Sequence, residues 1–266
     1  MRPVREEIGQ RLIESLTPMG RDMVALVELY ADESESAGCL TVAAYVFTRE
    51  SAIAMNAPWA AVLNEKRLPY FRMSDCAHGN GVFAAIEKPD RINIQKRIFS
   101  ILKDHIGCGF SVSFDLGHRD MLPSSLNIKI DKVTPYSFCC YWLLLNARRW
   151  TAENYPEAKI AYFFEAGDPG QSQANNIMNT LYSDAWHRNH FKMVSHAFVD
   201  KEYSAAIQSG DILAWQWSKN IKDRSEGIME TRADLMSLLE KQHFTTHFDK
   251  ARIEEFLELI RTSGPQ

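Results

Sequence analysis

Little in this chain of 266 residues points to a covalent or metal-stapled scaffold. There are five cysteines, an odd number, and none is spaced CxxC. Cys39, Cys76, Cys108, Cys139 and Cys140 therefore read as reduced, mostly buried thiols, as in a cytoplasmic protein. No long hydrophobic run is present. The longest, Phe138 to Leu145, falls far short of the ~20 residues that span a bilayer, so no membrane segment is expected. The first residues carry charge and lead into an amphipathic pattern, so no signal peptide is expected. Glycine-rich phosphate loops are missing too, because Gly79-Asn80-Gly81 lacks both the Walker lysine and the dinucleotide spacing. No serine sits in a G-x-S-x-G frame. Charge of one sign is also lacking. Thirty basic residues face 34 acidic ones, a net charge of −4, which excludes a histone-like basic coat.

What is present is ample apolar material, 45% of residues, enough for a large core without a staple. Val4, Ile8, Leu12 and Leu16 recur every four residues and predict an N-terminal amphipathic helix. Met23 to Ala31 and Leu40 to Phe47 predict strands joined as a hairpin, followed by a helix over Ser51 to Glu65. Phe71 to Phe83 reads as irregular. A helix with the stripe Ile94, Ile98, Ile101 and His105 then gives way to a strand, Phe110 to Phe114. Tyr136 to Trp150 is apolar nearly all round and predicts a buried helix that encloses Cys139 and Cys140. Lys159 to Phe164 is a strand, Ser172 to His190 a helix, Met193 to Val199 a strand and Ser204 to Asn220 a helix. Two more helices, Ser225 to Gln242 and Lys250 to Thr262, form the tail, the second capped by Asp249 with Phe248 and Ile253 as a hydrophobic staple. The class is α/β on one mixed sheet, with an arm over 1–22, a central domain over 23–224 and a helical extension over 225–266.

Carboxylates gather where such sheets place their sites. Asp32 and Glu33 end the first strand, Glu165 and Asp168 follow the Lys159 to Phe164 strand, and Asp211 lies in the first half of the Ser204 to Asn220 helix. Clustered acids repel unless cations sit among them, and hard oxygens suit Mg²⁺ or Mn²⁺. Two such ions would activate water and stabilise the leaving oxygen of a phosphodiester. Acids after strands are also ordinary loop residues and caps. His187 with His190, and His243 with His247, have zinc-compatible spacing but no obvious third ligand. Three basic clusters stand out: Lys88 to Lys103, His187 to Lys192, and Lys219 to Arg224. Each is either a solvated helix face or a contact for a phosphate backbone. Trp215 and Trp217 point in different directions on a helix, one toward the core and one free to stack.

Five segments occur in an order that resembles a known family. They are Tyr30-Ala-Asp-Glu-Ser34, Tyr70-Phe-Arg-Met-Ser-Asp-Cys76 with Gly81 and Phe83 after it, the Tyr136 to Trp150 helix, Phe163-Phe-Glu-Ala-Gly-Asp-Pro169, and Phe198-Val-Asp-Lys201 leading into Ile207-Gln-Ser-Gly-Asp-Ile-Leu-Ala214. Together they resemble the DUF3800 family, a domain of unknown function whose expected fold is ribonuclease H-like. The resemblance spans roughly Leu26 to Lys219. It implies metal ligation by Asp32, Glu165 and Asp211, assistance from Glu33, Asp75 and Asp168, and a phosphate contact at Lys201. Where the family often has His, this chain has Arg72, which can clamp a phosphate through two parallel hydrogen bonds. Gly210 stands where the family has alanine, a loss of under about 1 kcal/mol in helix propensity. The resemblance implies a divalent-metal-dependent nuclease or phosphodiesterase acting on nucleic acid. The alternative is a catalytically inactive binding or interaction module of the same fold. Self-association through the terminal helices is a further expectation.

Overall fold

A computed structural model describes residues 26–123, 126, 132–167 and 169–263. The N-terminal arm expected over 1–22 and the Asp168 side chain lie outside these residues. Six strands form one mixed sheet: β1 (Leu26–Ser36), β2 (Cys39–Thr48), β3 (Cys108–Asp115), β4 (Lys159–Glu165), β5 (Met193–Val199) and β6 (His243–Phe248). Their order across the sheet is β5-β4-β1-β2-β3-β6. The chain begins with the antiparallel meander β1-β2-β3, and β4 then lies parallel to β1 with β5 parallel beyond it. On the other edge β6 runs parallel to β3.

The β1–β2 hairpin is tighter than the sequence suggested. Ala37 and Gly38 have φ of 51° and 74°, and two consecutive positive values make the two-residue turn that matches strand twist. Pairing therefore continues through Asp32–Ala43 and Glu33–Val42 to Ser36–Cys39. Asp32 and Glu33 accordingly lie within β1 and not after it, and β1 projects past the end of β4 at Glu165.

Helices cover both faces. Tyr30, Ala43, Tyr45, Phe47 and Phe163 face a layer built by α1 (Arg49–Asn64), α2 (Met73–His78), α3 (Lys88–His105) and α7 (Ala205–Ser225). The opposite face, with Leu29, Val42, Phe110 and Tyr162, packs against α4 (Pro135–Asn154), α5 (Gln171–Ser183) and α9 (Lys250–Ser263). α6 (Ala185–His190) and α8 (Ala233–Leu239) are short connectors. As its composition requires, α4 is buried along most of its length. A Thr134–Ser137 capping box starts it, and Cys139 and Cys140 are fully buried.

Three segments differ from expectation. Phe71 to Phe83 is not irregular: α2 forms there and stops at Gly79, whose φ of 72° is the left-handed cap glycine accommodates. The single helix expected over Ser172 to His190 is broken at Asp184, an extended residue whose carboxylate accepts from the Trp186 and His187 amides and starts α6. In the tail, the long helix shrinks to α8, and His243 to Phe248 becomes a strand. The run His-Phe-Thr-Thr-His-Phe favours an extended backbone, and the open side of β3 offered it partners. The tail is thus part of the sheet and not purely a helical extension. Among the described residues no helix is long and apolar enough to cross a membrane.

A buried carboxylate cluster around Lys201

Parallel pairing of β1 with β4 places Asp32 beside the end of β4, where Glu165 sits. α7 crosses the same face at Gly210. A Cβ built on that glycine would lie 3.2 Å from the Cβ and N of Asp32 and from the Tyr30 carbonyl oxygen. The missing side chain thus lets Asp211, the next residue, approach the strand. The effect of glycine here is steric, and the small propensity difference read from sequence is the lesser part.

The three acids meet at one cation. Lys201 Nζ is 2.6 Å from Glu165 Oε2, 3.1 Å from Asp211 Oδ1 and 3.5 Å from Asp32 Oδ2. The lysine is itself buried, 7% exposed, as is Asp32. It comes from a single 3₁₀ turn after β5, Lys201–Tyr203, which Asp200 starts by accepting from the Glu202 amide. The expected contact of Lys201 with an external phosphate is therefore not what the structure displays: the ammonium is the internal counter-ion of the acids. The second oxygen of Asp211 accepts from the Met73 amide at 2.5 Å and so ties α2 to the cluster.

Gln208 organises this corner from one turn earlier on α7. Its side-chain oxygen accepts from Trp59 Nε1 at 2.7 Å and the Phe71 amide at 2.8 Å, and its amide nitrogen donates to the Lys201 carbonyl at 2.8 Å. Three separate segments are pinned by one buried side chain. In the sequence Gln208 is only one position of the Ile207–Ala214 motif, because a lone glutamine carries no signal of its long-range partners.

Electrostatics follow from the count. Three carboxylates against one ammonium leave a charge of 1 − 3 = −2 if all ionise. Burial first, and then the neighbouring Asp32, push the Glu165 carboxyl up to about 9 despite Lys201. Burial likewise raises Asp211, with Lys201 opposing it. Lys201 is depressed by burial, but Asp211, Asp32 and Glu165 more than reverse this and hold it above the ordinary lysine value.

Glu33 points to the other face of β1. It accepts from the Gly170 amide at 2.9 Å, at the start of α5, and lies against Tyr136. Burial is the main reason its carboxyl rises to about 7, which the Gly170 amide opposes. A small recess opens beside Asp32, Glu33 and Glu165, walled by Tyr136, Phe164 and Phe198. Its free volume, about 10 Å³, is that of one water-sized occupant.

Other expected residues are placed apart. Asp75, in α2, turns toward Gly81, where a Cβ would sit 2.3 Å from its Oδ2. Arg72 is exposed at the start of α2, one residue from the Met73 amide that Asp211 holds. The histidine pairs do not converge. His187 bonds Asp184 and His190 stacks on Trp186, while His247 meets Ser113 and His243 packs against Tyr45. Trp215 lies between His78 and the Arg232 guanidinium. Among the described residues, no three His, Cys, Asp or Glu side chains form a ready-made metal coordination shell, since the acid oxygens face the ammonium.

These features define an α/β protein with a helix-flanked, six-stranded mixed sheet and a buried acid–lysine cluster on its central strands. Comparison with protein-family models, with curated proteins and with solved structures found no match.

Proposed function

We propose that this protein is a ribonuclease H-like, divalent-metal-dependent phosphodiesterase acting on nucleic acid, the activity its DUF3800 resemblance implies. One observation carries the reading. Asp32, Glu165 and Asp211, distant in sequence and supplied by two parallel strands and a crossing helix, converge within 3.5 Å of a single point. The donor set suits Mg²⁺ or Mn²⁺: all are hard oxygens, when fully ionised they exceed Lys201 by two negative charges, and a recess the size of one small occupant adjoins two of them. Asp32, Glu165 and Asp211 would hold the ion, which supplies activation of water and charge stabilisation at the leaving oxygen.

The chain's own residues do the rest. Lys201 keeps the acids together against their repulsion. Gln208 fixes the backbone on both sides of the cluster. Arg72, exposed at the start of α2 beside the Asp211-bound amide, is positioned to reach a phosphate.

The buried ammonium also favours a second reading, a binding module in which Lys201 permanently completes the cluster. Calorimetric titration with Mn²⁺, together with cleavage of labelled single- and double-stranded oligonucleotides, separates the two. The enzyme reading expects metal-dependent cleavage, with both cleavage and metal binding lost in Asp32→Asn. Absence of both from the wild-type protein at millimolar Mn²⁺ would establish the module.

A further inference from the structure

A second feature lies away from the acids, where α5 ends and α6 begins. Trp186 is 61% exposed and Tyr182 48%. The His190 ring stacks on the Trp186 indole with centroids 4.7 Å apart and planes 14° from parallel, while His187 meets it edge-on at 5.0 Å. Asp184 holds His187 in turn. The Arg188 guanidinium lies over the Tyr182 ring at 5.5 Å. These rings are fixed before any ligand arrives, so little ordering cost remains for one that stacks on them.

Basic side chains outnumber acidic ones around it. Arg148 donates to the His190 carbonyl, Arg188 to the Tyr182 carbonyl, and Lys192 to the carbonyls of Pro156 and Ala158. A carbonyl positions a cation without cancelling its charge. Several basic side chains elsewhere are matched by carboxylates instead: Arg97 by Glu65, Lys103 by Glu240, Lys219 by Asp223 and Lys222 by Glu226. Of the acids close to the aromatic patch, Asp184 is held by His187 and Glu153 by Arg149, while Glu157 lies between the two residues whose carbonyls hold Lys192.

We infer that this patch is a second binding surface for single-stranded nucleic acid, with an unpaired base stacked on Trp186 and the backbone phosphates near Arg148, Arg188 and Lys192. Charge complementarity selects a polyanion. The protruding indole selects unpaired bases, because those in a duplex already stack on one another. α6 feeds the start of β5, whereas Glu165 lies beside Val199 at its far end. Six strand steps of about 3.3 Å put the patch roughly 20 Å from the cluster, so it would grip the strand beyond any segment at the acids. The inference deepens the nuclease reading, and rests on it only for what becomes of the bound strand.

The test is fluorescence anisotropy of a labelled oligothymidylate with the full-length protein in EDTA. Trp186→Ala should weaken binding at least about fivefold, and Trp186→Phe should restore most of it. Arg188→Gln should lower the slope of log affinity against log salt by about 0.7, one phosphate's worth on a single strand. Wild-type affinity in Trp186→Ala would overturn the inference. So would displacement by polyglutamate as efficient as by unlabelled oligonucleotide, which would reassign the surface to an acidic protein. Binding is read without metal and cleavage with it, so the two ideas can fail separately: Trp186-dependent binding without cleavage in Mn²⁺ would support this surface and sink only the nuclease reading.

Discussion

Replacing Lys201 with methionine removes the one cation that, among the described residues, pairs with the three clustered carboxylates. Methionine preserves much of the volume, so the loss is chiefly electrostatic. Breaking a buried ion pair from one side costs about 3–5 kcal/mol, and the acids can reduce that cost only by taking up protons. Lys201, held above its ordinary value, stays charged between pH 5 and 8, so the pH dependence of the difference between variant and wild type comes from the acids it faces. Without the ammonium, carboxyls already raised by burial rise further. The folded variant then holds more protons than the unfolded chain, and its stability falls as pH increases. Urea unfolding should show Lys201→Met about 3 kcal/mol or more below wild type at pH 8, with a clearly smaller gap at pH 5. Mn²⁺ should recover part of the loss at pH 8, by about 2.7 kcal/mol at a hundred times its dissociation constant. Equal stability of variant and wild type at pH 8 would refute the claim that Lys201 balances these acids.

Three other substitutions probe the same framework. Gln208→Leu leaves Trp59 Nε1, the Phe71 amide and the Lys201 carbonyl without their partner; a loss of about 3 kcal/mol or more is expected in urea, and under about 1 kcal/mol would show the segments are held by packing alone. Gly210→Ala should destabilise by about 1 kcal/mol despite its better helix propensity, because the added Cβ meets β1 at 3.2 Å; a gain in melting temperature would contradict this. Glu28, 2% exposed, accepts from the Tyr30 hydroxyl with one oxygen, and burial raises its carboxyl. Folding therefore favours its protonated form, and wild type loses stability as pH rises above the unfolded value of 4.5. The advantage of Glu28→Gln should widen with pH over that window, and parallel pH–stability curves for the two proteins would rule it out.

The central sheet was readable because its strands are short hydrophobic runs bounded by turn residues, as at Lys159 to Glu165. β6 was not, since its alternation is weak and its strand character depends on β3 having an open side. The break at Asp184 was hidden because the residues around it keep helical spacing, while an aspartate cap is visible only from the amides it accepts. At the site, sequence spacing and the family resemblance correctly singled out Asp32, Glu165 and Asp211 as companions. They misjudged Lys201, because a lysine in a polar turn reads as solvated until the fold turns it inward. Asp75 was drawn in by its motif, but its orientation is decided by Gly81, whose φ of 51° and missing Cβ make room for it.

Because β6 closes the β3 edge, the order of synthesis matters. β3 is complete at Asp115, yet the strand that covers its outer side ends only at Phe248. At typical translation rates the interval is on the order of ten seconds. During that time Phe110, Val112 and Phe114 belong to a strand with an open flank, able to recruit any extended chain nearby. The nascent protein thus passes through a period in which its sheet is sticky. A chain cut between Ser225 and His243 would never leave it, and should accumulate as aggregate while a chain ending after Phe248 stays dispersed.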